Sequence, residues 1–136
     1  MDIDFLGRID NSVEGIENVI REICSQEVEP DGITFDISSI SGERIKEDAD
    51  YEGVRARFPA FLGNARVVIQ IDIGFGDIIV PGPVEIEYPV ILNLPKPHLK
   101  GYTRESAIAE KFQAMLALGI VNSRMKDFFD IWLLAR

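Results

Sequence analysis

Residues 53–73 read GVRARFPAFLGNARVVIQIDI, and on this stretch the fold turns. Two alternating runs, Gly53–Phe61 and Ala65–Ile73, are joined through Leu62-Gly63-Asn64. Two β-rich runs meeting at a Gly-Asn junction predict an antiparallel hairpin. The second run contains the most hydrophobic strand of the chain, Val67-Val68-Ile69-Gln70-Ile71, and next to it stands Asp72, flanked by Ile71 and Ile73. A lone acid in such a strand is costly to bury unless it is paired or coordinates a cation.

Upstream, Asp2-Ile3-Asp4-Phe5-Leu6 alternates as a strand with one wet face should. Asn11-Ser12 offers an N-cap to an amphipathic helix over residues 13–25, with Val13, Ile16, Ile20 and Ile23 spaced for one buried face. Pro30-Asp31-Gly32 marks a turn, and 33–37 reads as a partly exposed strand. The polar run SGERIKEDAD, 41–50, reads as a loop or short turn. Downstream, 74–100 holds five of the seven prolines, which predicts short extended pieces such as Val84–Tyr88 rather than a regular element.

The last third is helical. Thr103 is an N-cap, Ile108, Phe112, Met115 and Leu118 form an inward stripe, and Gly119 ends the helix. A second helix starts at Asn122 or Ser123, and Phe128, Phe129, Ile131, Trp132, Leu133 and Leu134 leave it little polar surface, so it is expected to be covered. The class is α+β: a small mixed, partly antiparallel sheet with packed helices, followed by a C-terminal helical pair. One domain is expected, its sheet core over 1–100 and a helical segment of the same domain over 101–136.

The 136 residues are 46% hydrophobic and 27% charged, the composition of a globular domain rather than a disordered chain. No apolar run approaches the ~20 residues that span a bilayer. The acidic start Met1-Asp2-Ile3-Asp4 is not a signal peptide, so no membrane partner and a cytoplasmic address are expected. A net charge of −9 argues against non-specific nucleic-acid binding, which depends on phosphate counterion release. It leaves open an enzyme whose carboxylates hold divalent cations. With one cysteine, Cys24, and one histidine, His98, neither a disulfide framework nor a Cys/His zinc site fits within one chain. Cys24 reads as a small buried apolar residue and His98 as a loop histidine.

Carboxylates, Lys and Arg therefore carry the candidate chemistry. Asp2 and Asp4, two apart on a strand, project from the same face. If their strand neighbours that of Asp72, the three make an oxygen-rich cluster suited to one or two Mg²⁺ (or Mn²⁺) ions and to nucleotidyl transfer. The plainer alternative is a solvated edge whose acids discourage strand pairing. Gly74-Phe75-Gly76-Asp77 reads as a tight turn. Lys111, at the margin of the helical stripe, either snorkels to the surface or points into a cleft and holds a triphosphate. Asp127 and Asp130 share a helix face, and Lys126, four before Asp130, fits a simple surface ion pair.

Four segments occur together and in order: Asp2-Ile3-Asp4-Phe5-Leu6; Ile71-Asp72-Ile73-Gly74-Phe75-Gly76-Asp77; Tyr102 with Glu105 through Ala114; and Arg124 through Ile131. In these the chain resembles the AbiEii/AbiGii nucleotidyltransferase toxins of the polymerase-β-like superfamily. The resemblance implies a toxin that transfers NMP from an NTP to an RNA (tRNA-like) or protein hydroxyl, beside an antitoxin that is often a DNA-binding repressor. It assigns Asp2 and Asp4 to the metal-binding Asp-x-Asp and Asp72 to the third carboxylate. Lys111 becomes a nucleotide-phosphate contact and Asp127 the acid of the last motif. Lys126 stands where the family usually has Arg, and Lys neutralises phosphate without Arg's bidentate fork.

Family members carry a Gly-Gly or Gly-Ser loop and an Arg-x-Thr segment before the Asp-x-Asp, which here begins at residue 2, and they continue beyond the final motif. The expectation is a fragment of a longer protein with weak or no activity of its own. The alternative is a catalytically inactive module of the same fold that binds an antitoxin-like partner. An exposed terminal strand and an apolar final helix further predict self-association.

Overall fold

The computed structural model describes residues 2–46, 52–76, 78–91, 93–119 and 123–136, with Asp2 and Lys46 by backbone only. The chain divides into two compact units, Met1–Asp77 and Ile78–Arg136.

The first unit is a mixed sheet with one helix on it. Its strands are β1 (Asp2–Gly7), β2 (Ile33–Phe35), β3 (Ser41–Lys46), β4 (Glu52–Leu62) and β5 (Ala65–Phe75); helix α1 (Val13–Cys24) follows β1. The order is β1-β5-β4-β2, with β3 also on β4. β4 and β5 form the expected hairpin, Leu62 opposite Ala65, and Gly63 takes the positive φ of 57° that a two-residue turn needs. β1 lies parallel to β5 and makes the sheet mixed.

Alternation then sorts the side chains. Val54, Ala56, Phe58 and Ala60 of β4, with Ile69 and Ile73 of β5, are buried with Ile16 and Ile20 of α1 and Ile40. The opposite face carries Arg55, Arg57, Gln70 and Asp72. Pro59 keeps its place in a strand paired on both sides because its carbonyl accepts the Asp36 N–H at 3.1 Å. The N–H it lacks falls between the stretches of β4 that pair with β3 and with β2.

Ser12 caps α1 as expected, accepting the Gly15 N–H at 3.0 Å. The buried face differs by one position: Ile23 is exposed, and Cys24 packs against the core instead, its thiol pushed up by burial. Residues 41–46 correct the expected loop, because they form β3, antiparallel to β4 from Ser41↔Arg57 to Lys46↔Glu52. Residues 47–51 lie outside those described. Strand β2 stops at Phe35, where Asp36 accepts from Ser38 N–H and Oγ–H and starts a 3₁₀ turn, Ile37–Ser39.

The second unit opens with a correction too. The proline-rich stretch contains a regular element: β6 (Val84–Glu87) pairs antiparallel with β7 (His98–Gly101), and His98 is a strand residue. α2 (Arg104–Leu118) starts at Thr103, whose hydroxyl accepts the Ser106 N–H, and its C-cap is Gly119. Its inward stripe is shifted, however. Ser106 is buried and Ile108, Lys111, Ala114 and Met115 are half-buried, whereas Phe112 and Leu118 are exposed.

α3 (Met125–Leu134) inverts its expected polarity. The face turned inward is Asp127, Asp130, Ile131 and Leu134, at helical spacing. Phe128, Phe129, Trp132 and Leu133 lie outward and exposed. Asn122 lies outside the described residues, and Arg124 occupies the N-cap without a side-chain capping bond.

Candidate active site

Parallel pairing of β1 with β5 sets the first cluster. Its register places Asp4 opposite Asp72 and Asp2 opposite Gln70. Side chains of in-register residues on neighbouring strands share a face, one strand spacing (about 4.8 Å) apart. Asp4 is exposed on that face and Asp72 is half-buried. The side chain of Asp2 lies outside those described, so only its register is fixed.

Hairpin register brings a third residue into the row. Arg55 of β4 stands opposite Asp72. Its Nε donates to Asp72 Oδ1 at 2.8 Å and its Nη2 to Oδ2 at 2.6 Å, a bidentate pair with the two side chains 25% and 20% exposed. One step along the strands, Arg57 donates to Gln70 Oε1 at 2.9 Å and to Glu43 Oε1 at 2.7 Å. Arg55 escaped the sequence reading. The signal was there: counting back from Leu62 opposite Ala65 in a two-residue turn pairs residue 55 with 72.

Asp72 therefore satisfies its cost of burial by pairing. Oδ1 accepts one Arg55 N–H and keeps a further lone pair, whereas Oδ2 accepts from Arg55 and, at 3.4 Å, from Gln70 Nε2. Two carboxylates side by side on an open face offer the hard oxygen donors that Mg²⁺ takes while keeping several waters, so Asp4 and Asp72 fit such an ion. Among the described residues there is no cluster of three metal-ligating side chains.

The second cluster lies in the other unit, between α2 and α3. Lys111 Nζ donates to Asp130 Oδ2 at 2.8 Å and lies 3.5 Å from Asp127 Oδ1. Asp130 holds the Lys111 ammonium above its ordinary value, and the same bond holds the Asp130 carboxyl below its own. Asp127 is only 3% exposed in its side chain. Arg124 Nε is 2.9 Å from Asp127 Oδ2, but that oxygen receives no hydrogen bond. The expected surface pair is thus corrected: Asp130 is bound by Lys111 of the neighbouring helix, Asp127 is buried, and Lys126 is exposed.

The structure brings Asp4 together with Asp72, and Lys111 with Asp127. Each cluster belongs to its own unit. The described elements make an α+β fold with a small mixed sheet. The chain matches, over residues 1–136, the family model described as the nucleotidyl transferase AbiEii toxin of a type IV toxin–antitoxin system. It belongs to that family, which makes it a nucleotidyltransferase of the toxin–antitoxin kind and implies an NTP substrate and an antitoxin partner. No curated protein and no solved structure matches it. Among the described residues no helix is long and apolar enough to cross a membrane.

Proposed function

We propose that the chain transfers NMP from an NTP, with Mg²⁺ or Mn²⁺, to a hydroxyl of RNA (tRNA-like) or protein, the hydroxyl oxygen bonding to the α-phosphorus as pyrophosphate leaves and the hydroxyl proton is released, and that Asp4 and Asp72, with Asp2, form its carboxylate site. The observation that carries this reading is the register of β1 with β5, which sets Asp4 beside Asp72 on the open face of the sheet. A divalent ion held there would neutralise charge on the transferring phosphoryl group.

The chain's own residues do the rest. Asp4, exposed, supplies oxygens for the ion. Asp72, fixed in orientation by Arg55, supplies oxygens and is placed to accept a hydrogen bond from the acceptor hydroxyl. Lys111 is the phosphate contact and Asp127 the buried acid that keeps its ammonium in place, with Lys126 an exposed second cation. For Lys111 to reach a phosphate it must leave Asp130, an exchange of one anionic partner for another.

The test is binding of α-labelled NTP to the full chain by equilibrium dialysis, with Mg²⁺ and with EDTA. Metal-dependent binding that Asp72→Asn and Asp4→Asn each reduce at least about tenfold is expected, since a lost metal ligand or its close support typically costs that much. Binding indifferent to EDTA and to both substitutions would overturn the carboxylate assignment.

A further inference from the structure

On the open face of the sheet one transverse row, Asp4–Asp72–Arg55, crosses three strands in register. Two carboxylates on adjacent strands repel each other, and the Arg55 guanidinium at the end of the row grips both oxygens of the central acid. A structural cross-strand pair between β4 and β5 does not need this position. The hairpin already has Val54↔Ile73, Ala56↔Ile71 and Phe58↔Ile69 packed on its other face, and a second polar link in Arg57 to Gln70.

We propose that Arg55 is the resident counter-cation of the carboxylate site, a positioning residue that stands in for part of the metal's charge and competes with the metal for Asp72. This rests on the carboxylate assignment proposed above. In the absence of metal, Arg55 holds Asp72 aimed within the row. Entry of a divalent ion beside Asp4 and Asp72 sets two cations against one carboxylate, so the Arg55 fork must loosen. A simple strand staple and a competing counter-cation differ in the sign of their effect on metal affinity. Removing a staple loosens the site and weakens binding. Removing a competing cation strengthens it.

The experiment is a Mn²⁺ titration of the full chain, followed by the electron paramagnetic resonance signal of free Mn²⁺, for wild type, Arg55→Gln, Arg55→Lys and Asp72→Asn. Deleting one positive charge a few ångströms from a divalent ion should tighten Mn²⁺ binding about tenfold in Arg55→Gln. Arg55→Lys, which keeps the charge, should stay within about threefold of wild type, and Asp72→Asn should erase the gain when combined with Arg55→Gln. Unchanged or weaker binding in Arg55→Gln overturns the inference. Should that variant fail to fold, the Arg55 Nε–H resonance of wild type, assigned by its loss in Arg55→Lys, decides instead. That resonance is expected to move on adding Mg²⁺, and a resonance that does not move overturns the inference. Absence of Mn²⁺ binding to wild type removes the metal site itself, and with it both readings. Binding to wild type without tightening in Arg55→Gln removes only the role given to Arg55.

Discussion

Lys111 is held by two acids from the next helix, and the signs of the shifts say when that matters. Asp130 is held below its ordinary value, 3.8, chiefly by the Lys111 hydrogen bond. Its contribution to stability is therefore present above that value and is lost as pH falls through the depressed one. Lys111 is held above its ordinary value, 10.5, so its contribution is present below 10.5 and is lost only as pH rises beyond it. Between these limits the clasp of α2 to α3 is constant. Asp130→Asn should lower the melting temperature at pH 7, and the difference from wild type should shrink as pH drops below 3.8. A difference that persists unchanged into strong acid would mean that packing, not charge, joins these helices. The sequence showed Asp127 and Asp130 on one face but not which cation they meet, because Lys111 lies nineteen positions before Asp130 on another helix. Asp72 is the converse case: its isoleucine neighbours announce a buried acid, while its partner Arg55 follows only once the hairpin register is counted.

Among elements, β3 shows why a polar strand reads as a loop in the sequence. SGERIK has a single large apolar residue, Ile45, and Glu43 and Arg44 are exposed, with Glu43 meeting Arg57. What places the strand is invisible locally. Glu17 of α1 accepts the Gly42 N–H at 2.8 Å, and that bond, more than Arg21 beside it, holds the Glu17 carboxyl below its ordinary range. A Cβ on Gly42 would stand 2.8 Å from Val13 Cγ1. Gly42→Ala should therefore destabilise by about 1–3 kcal/mol through overpacking between helix and strand. Glu17→Ala should cost about 1–3 kcal/mol by orphaning the Gly42 N–H. Urea unfolding measures both, and an alanine at 42 without cost would show that α1 does not press on β3. The β6–β7 ribbon was hidden for a different reason. Its prolines lie outside the paired residues 84–87 and 98–101, so they frame the two strands without interrupting either. The β4–β5 hairpin and the two capped helices were legible because their signals are local: a Gly-Asn turn, Ser12, Thr103 and Gly119.

For the molecule as a whole, two properties oppose each other. The outer face of α3 presents Phe128, Phe129, Trp132 and Leu133, each 46–57% exposed, with Phe129 against Trp132 and the Arg136 guanidinium 3.6 Å from the Trp132 ring. The inward face of the same helix is Asp127, Asp130, Ile131 and Leu134, so the four exposed outer side chains are left for an external contact, and burying them would remove water from aromatic surface. Against this stands a net charge of −9, which makes copies repel. Repulsion between surfaces is screened within about 8–10 Å at physiological salt, whereas aromatic burial is not screened. Self-association through α3 should consequently rise with salt. Light scattering on the purified chain should give a mass above 15.2 kDa that increases from about 20 mM to about 500 mM NaCl, where the screening length shortens severalfold. Phe129→Asp should return it to 15.2 kDa at both salts. A monodisperse monomer throughout would mean that this face is not self-complementary. Association that weakens with salt would instead place the contact among the charged residues, away from the aromatic face of α3.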